Sequence, residues 1–425
     1  MQKKDETYEA YLRLLKEELV PATGCTEPVA IAYAAAKVRE ILGTLPETSR
    51  LEVSGNIIKN AKSVIVPNTG GLKGIPTAIA AGFVAGDPDR GLEVLSRIPE
   101  EDKHKILEYR ETHEIQVIPY DGELVFYISV TGYAEASSAR VVIESFHTNI
   151  VCIEKDGKVL FQATPKILDK SKPDELLMNL KEIVEFVDIV EITDIEDIIG
   201  QQIEFNTAIA QEGLRNDWGA NIGKVLLKTY GNDVKNRSKA IAAAASDARM
   251  GGCDLPVVIL AGSGNQSLAA SLPVIEYARE LHSTKETLLR AVALSDLITI
   301  HQKSSIGRLS AFCGAVSAGC SAGAGIAYLQ GADYNIIAHT VVNALAIASG
   351  IVCDGAKASC AAKIATAVDA GLVGYHMYLE GEEFLGGDGI IAKGVDNTIA
   401  NVGRMASKGM RETDNEIIRI MVEKK

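Results

Sequence analysis

Four cysteines fall late in the chain, Cys313 and Cys320 in AFCGAVSAGCSAG and Cys353 and Cys360 in IVCDGAKASC. Zinc sites are built from CxxC knuckles and none is present, whereas iron–sulfur clusters accept thiolates from scattered positions. On one regular helix Cys313 and Cys320 stand about 10 Å apart along the axis, too far for both to ligate one compact cluster. Cys353 and Cys360 bracket DGAKAS, and a loop containing Asp-Gly can bring two thiols together where a helix cannot. The competing expectation is that all of these are small buried hydrophobes, the ordinary state of a free cysteine. A further thiol, Cys25, lies in ATGCTEP ahead of an alanine-rich run. A helix opening there places it among unpaired backbone N–H groups, which favour a thiolate.

Two glycine-rich stretches add anion-binding capacity. VPNTGGLKGIPTAIAAG (66–82) and ILAGSGNQSLAAS (259–271) each lead from an extended segment into a helix. The amides of Thr69, Gly70 and Gly71, and of Gly262, Ser263, Gly264, Asn265 and Gln266, can hold a carboxylate or phosphate; the glycines serve close packing equally well. Neither stretch is a nucleotide motif, and GANIGK lacks P-loop spacing. His147 in SFHTNI reads as a solvated or packed turn residue. In HQKSSIGRLSAFCG, His301 and Lys303 precede Arg308, which can clamp a carboxylate bidentately or form an ordinary ion pair.

The elements that must position these groups are mostly helical. Tyr8, Leu12, Leu15 and Leu19 recur at helical spacing up to Pro21, and a second helix opens between Thr26 and Pro28 and closes at Gly43. From His113 to about Pro165 the pattern alternates, with Asp-Gly turns at Asp121 and Asp156. Helical periodicity then returns almost to the end. The expectation is an α+β fold: a mostly helical catalytic core, residues 1–112 and 167–425, interrupted by a small antiparallel β-sheet inserted at 113–166. Aromatic residues make up 5% while alanine and glycine abound, which implies close-set helices with short side chains between them.

A net charge of −13 argues against a nucleic-acid partner, which needs clustered Lys and Arg, and leaves a small molecule. The charged N-terminus has no apolar signal core. The longest apolar stretch, Ile336 to Cys353, contains His339 and Asn343 and reads as a buried helix rather than a membrane span. A cytosolic protein follows, whose seven cysteines stay reduced. A homodimer is the generic expectation.

Taken in order, ATGCTEP, NTGGLKGIPTA, SFHTNI, GSGNQS, KSSIGRLSAFCG and CDGAKASC resemble the iron–sulfur L-cysteine desulfidases, relatives of the catalytic α-domain of bacterial iron–sulfur L-serine dehydratases. The resemblance spans nearly the whole chain. It implies a [4Fe–4S] cluster held by Cys313, Cys353 and Cys360 with one iron open to substrate, Cys320 being left over. The dehydratases space their second and third ligands more widely and carry a Ser/His-rich segment where this chain has TGCTE, departures that point toward cysteine as substrate. They make Cys25 the candidate for α-proton removal, or alternatively a fourth ligand that substrate displaces. The implied reaction is β-elimination of L-cysteine to pyruvate, ammonia and sulfide, with Gly262 to Gln266, Thr69 to Gly71 and Arg308 fixing the substrate. L-serine is the alternative substrate. A pyridoxal-phosphate lyase using GSGNQS as a phosphate cup and Lys62 as Schiff base, and a non-catalytic binding protein, are the rival readings.

Overall fold

Leu, Ile and Val at alternating positions make the strands, and runs of small residues make the helices. The computed structural model describes residues 1, 5–163 and 173–422. The first half holds α1 (Glu6–Glu18), β1 (Leu19–Thr23), α2 (Thr26–Leu42), β2 (Thr48–Val53), α3 (Gly55–Ala61), α4 (Ile75–Ala85) and α5 (Glu100–Thr112). Strands β3 (Glu114–Pro119), β4 (Tyr127–Ala134), β5 (Ser137–Glu144), β6 (Ile150–Lys155) and β7 (Lys158–Gln162) follow. Then come α6 (Leu180–Ile189), α7 (Ile192–Arg215), α8 (Ile222–Tyr230), α9 (Val234–Met250), β8 (Pro256–Leu260), α10 (Gly264–Glu280) and α11 (Lys285–Ile306). The chain closes with α12 (Gly314–Leu329), α13 (Tyr334–Ala348), α14 (Cys360–Leu379), α15 (Val395–Arg404) and α16 (Arg411–Val422).

The fold is α+β and mostly helical, as the periodicity implies. The strands expected after His113 form, but the sheet is mixed and reaches outside that segment. Its order is β3-β2-β4-β5-β6-β7, with β2 contributed from residues 48–53 and running parallel to β3. The two flanking residues of the expected boundary, 166 and 167, and Pro165 lie outside the described residues. Asp156 and Gly157 both have positive φ, the conformation that a tight hairpin between β6 and β7 requires. Pro21 does not end the first helix; it lies within β1, paired with Val258 of β8 in a separate two-stranded ribbon. That ribbon feeds α2 and α10 from adjacent strands.

Helices α10, α11, α13 and α14 pack around α12, whose residues Ala315 to Ala327 are all buried, and α9 packs outside them against α10 and α14. The fit between α12 and α14 depends on missing side chains. A Cβ on Gly323 would stand 2.6 Å from the carbonyl oxygen of Gly371, and Gly319 lies against the backbone of Ala367. Backbones this close account for the composition rich in glycine and alanine, and they set the N-terminal ends of α12 and α14 side by side. Among the described residues no helix is long and apolar enough to cross a membrane.

Replacing Gly323 by Ala should wedge α12 from α14 at a cost of about 1–3 kcal/mol, the usual penalty of overpacking. Denaturant unfolding would read this as a lowered midpoint with an unchanged slope, and an unchanged midpoint would contradict the packing.

Candidate active site

Four helices begin at one cavity. Cys25 caps α2, Ser263 caps α10, Cys313 caps α12, and Ser359 caps α14 with Cys360 as its first residue. None of these four caps is satisfied by its own side chain, and the positive ends of four helix dipoles face the same space, although the Cys360 and Ala361 N–H groups are taken by the Lys357 and Ala358 carbonyls. The cavity holds about 100 Å³, and its lining includes Cys25, Glu27, Arg249, Lys303, Cys313 and Cys360. A larger basin of about 340 Å³ lies on the sheet around Arg140. Arg140 there is already paired with Glu154 and no thiol lines the basin, so the chemistry belongs to the smaller cavity.

Local sequence explains how the thiols gather. Gly24 turns into α2 at φ +70°, and a Cβ there would strike Pro67 at 2.7 Å. Phe312 bridges to Val352, with Cys313 N–H donating to the Ile351 carbonyl at 3.1 Å and Cys353 N–H to the Ala311 carbonyl at 2.6 Å. This short ladder lays the Cys313 and Cys353 segments together. Gly355 then turns the chain at φ +94°, hard against the Lys59 carbonyl, and Cys360 Sγ approaches the Gly355 carbonyl at 3.6 Å. Lys357 and Lys363 both pair with Asp354. Burial opposes its ionisation, but the two ammonium groups draw the Asp354 carboxyl down to about 2.

The three expected ligand thiols are mutual neighbours. Burial pushes Cys313 up to about 12, and Cys353 and Cys360 add to the rise. Burial also raises Cys360, with Cys353 contributing. Cys320 is fully buried inside α12 and apart from the cavity lining. The structure brings Cys313, Cys353 and Cys360 together and leaves Cys320 out. Lys303 is buried beside Cys353 and Cys313; burial lowers it to about 8, and the thiols oppose the fall. Among the described residues its ammonium has no hydrogen-bond or ion-pair partner. The donor set therefore fits a thiolate-bound cluster: three soft ligands, open N–H dipoles and a buried cation to balance anionic sulfur. Among the described residues no group of three His, Cys, Asp or Glu is placed to hold a single metal ion.

Cys25 is in the cavity, but the expected fall in its pKa is not what the chain supplies. Burial pushes the thiol up to about 12, opposed by the Arg249 guanidinium, because desolvation at a fully enclosed site exceeds the stabilisation a helix N-terminus offers. Its proton is directed at the Met250 thioether, 3.8 Å away.

Of the glycine-rich stretches, only the second reaches the cavity. Gly262, Ser263, Asn265 and Gln266 line it, and Thr26 Oγ1 donates to the Gly262 carbonyl at 3.2 Å. Gly264 lies directly beneath Arg249. Thr69, Gly70 and Gly71 are not brought there. They form a turn with positive φ at Gly70 and Gly71, and the Thr69 hydroxyl donates to the Val66 carbonyl at 2.7 Å. Arg308 lines the cavity, but its Nη2 already donates to both Glu18 carboxylate oxygens at 2.8 and 2.9 Å, and its guanidinium lies 4.4 Å over Phe146. Lys62 is exposed and donates to the Met421 carbonyl, away from the cavity.

Sequence reading missed three cavity groups. Glu27 looked like an ordinary acid in a helix first turn, yet it is buried, accepts from Thr26 Oγ1 at 3.1 Å and faces His147 Nε2 at 3.9 Å. Burial opposes its ionisation, but His147 and Arg249 hold it below the usual carboxylate range. Of the two readings open for His147, solvated or packed, the structure gives the packed one, edge-on to Phe126; the sheet delivers it and Phe146 to the site. Asn60 also lines the cavity. Arg249 had a readable signal: an arginine ending the apolar run AIAAAASDARM needs a partner when that helix is buried.

A family model described as serine dehydratase alpha chain matches residues 89–419. A UPF0597 protein of Desulfitobacterium hafniense is 56% identical over 99% of this chain and 98% of its own length. UPF0597 proteins of Lachnoclostridium phytofermentans and Treponema denticola are 49% and 43% identical, each over 98% of this chain and over 100% and 98% of their own lengths. The family match takes in Arg249, the Gly262–Gln266 loop and the three gathered thiols but begins after Cys25 and Glu27.

In metal-free protein the raised thiols should make stability fall with alkali. Unfolded thiols ionise at about 8.5, while burial holds the protons on Cys25 and Cys313 up to about 12. Between those values the unfolded chain binds fewer protons, so unfolding is favoured as pH rises. At pH 8 iodoacetamide should alkylate both at least about 100-fold more slowly than free cysteine. Alkylation at the free-cysteine rate would contradict the burial of the site.

Proposed function

The chain belongs to the serine dehydratase alpha chain family, and from that premise we propose that it is a [4Fe–4S]-dependent lyase acting on L-cysteine. The products are pyruvate, ammonia and sulfide. The observation that carries this reading is the meeting of Cys313, Cys353 and Cys360 with four uncapped helix N-termini in one buried cavity. Those three cysteines are the proposed cluster ligands. When bound, the cluster supplies a Lewis acid that stabilises negative charge on the substrate and on the departing group.

The remaining work falls to the chain's own residues. The α10 N-terminal segment Gly262–Gln266 orients the amino acid, and Arg308, anchored by Glu18, closes that edge. Cys25 exchanges the α-proton. Its thiol is protonated at rest, so it acts as a base only after passing that proton to water, a loss that Arg249 eases, and the α-proton then reprotonates it. Removal of the α-proton and cleavage of the Cβ–S bond give aminoacrylate and hydrosulfide, and the abstracted proton leaves with the sulfide. Aminoacrylate tautomerises to the imine, and water releases pyruvate and ammonium. The family description favours a second reading with L-serine as substrate and water as the leaving group. A pyridoxal-phosphate lyase through Lys62 has less support, since that ammonium is outside the cavity.

Protein purified without air should convert L-cysteine to pyruvate and ammonia in equal amounts, with kcat/KM above that for L-serine. Preference for L-serine would make it a dehydratase, and turnover of neither would overturn the lyase reading. Cys25→Ser should keep its iron and lose at least about 100-fold in turnover, the usual scale for a lost general base. Near-normal activity would exclude the proton role, and an altered resting spectrum would make Cys25 a displaceable fourth ligand.

A further inference from the structure

Arg249 ends α9 at 4% exposure, and its only hydrogen bond among the described residues runs from Nη1 to Asn265 Oδ1 at 3.2 Å. Its Nε is buried with no partner. No carboxylate of the described residues lies within ion-pair distance; Glu27, the acid that senses it, is occupied by Thr26 and His147. The guanidinium is pressed onto the first turn of α10, where a Cβ on Gly264 would stand 2.7 Å from its Cζ. A buried cation against the positive end of a helix is unfavourable twice over, through desolvation and through the dipole. An anion placed between them relieves both.

An orphan of opposite character lies in the same lining. Gln266 is 3% exposed, and its Nε2 donates to the Leu260 and Ala261 carbonyls at 3.0 and 3.3 Å. That fixes the amide so that Oε1 lies against Gly314, the first residue of α12, buried and without a partner. A buried amide oxygen in this state calls for a donor. Arg249, packed against the first turn of α10, demands an anion, and Gln266, within that turn, demands a cation or N–H donor.

We infer that Arg249 receives the carboxylate and Gln266 Oε1 the ammonium of a zwitterionic α-amino acid, making this pair the determinant that admits free amino acids and rejects amides, esters and N-blocked ones. The inference rests on the lyase reading for the identity of the site but concerns binding, which can be measured without turnover. Arg249 is suited to the role because its planar fork matches a carboxylate. Arg308, whose Nη2 is engaged by Glu18, then serves as a wall rather than the clamp.

L-Alanine has no β-leaving group and is a non-reacting probe. Calorimetric titration of anaerobically purified protein should show L-alanine binding about 10- to 100-fold more tightly than L-alaninamide or N-acetyl-L-alanine, the scale of one charge-assisted hydrogen bond. Arg249→Met should bring the alanine-to-alaninamide ratio to about 1 with iron content and unfolding midpoint retained. Gly264→Ala, which displaces the guanidinium without removing it, should lower the same ratio. Gln266→Met should erase the preference over N-acetyl-L-alanine alone. A ratio preserved in Arg249→Met and Gly264→Ala, or no preference in the wild type, including no binding of any probe, would overturn the inference. Wild-type preference without release of pyruvate from L-cysteine or L-serine would keep the inference and sink the lyase.

Discussion

The positive potential of one small cavity governs the site. Four helices begin there without side-chain caps, and Arg249 and Lys303 are buried in its walls with no carboxylate of the described residues bonded to either. Each N-terminus presents the positive end of a helix dipole, which favours anions, and each buried cation carries a desolvation cost that only an opposite charge offsets. Glu27 supplies one negative charge and shares it with Thr26 and His147. In the proposed lyase the remaining demand would be met by thiolate sulfur and by a substrate carboxylate. Both are chemistry that a Lewis-acid lyase uses.

Much of the fold serves to hold those helix ends in register. The glycine contacts between α12 and α14 bring Cys313 and Cys360 to one end of the helical core, and the ladder between Phe312 and Val352 adds Cys353. The two-stranded ribbon of β1 and β8 starts α2 and α10 together, placing Cys25 beside the Gly262 loop. A third support comes from the far end of the chain. Asp414 of α16 pairs with buried Lys59 at 2.5 Å, and Lys59 also donates to the Ser310 carbonyl at 3.3 Å while its own carbonyl abuts Gly355. One residue of α3 thus braces both cysteine loops. The sheet contributes Phe146 under Arg308 and His147 opposite Glu27, so it forms part of the site wall.

Local signals made part of this legible. The α2 start after Cys25, its close at Gly43 with φ +85°, and the strands after His113 are written in capping residues and alternation. Spacing said only that Cys313 and Cys320 could not both serve one cluster and that a loop could join Cys353 to Cys360; the set of Cys313, Cys353 and Cys360, with Cys320 left over, came from the resemblance. What sequence could not show was depth. His147 and Glu27 have unremarkable surroundings along the chain and are buried only because β5 and α2 fold against each other. The Cys25 thiol was expected to be low because a helix N-terminus is a local feature, but its rise to about 12 comes from desolvation, which only the assembled core imposes. Strand β2 was missed because its short, mostly polar sequence TSRLEV acquires strand character from pairing with β3 and β4. The Thr69–Gly71 turn resembles an anion cradle in composition alone; its hydroxyl is turned inward.

The most direct test of the account is iron and acid-labile sulfide per chain in protein purified without air. The gathered thiols and uncapped helix ends predict about four of each, with both lost in Cys353→Ala. Neither element present, even after anaerobic reconstitution with ferrous iron and sulfide, would contradict the cluster and leave the cavity's positive potential to a different anion.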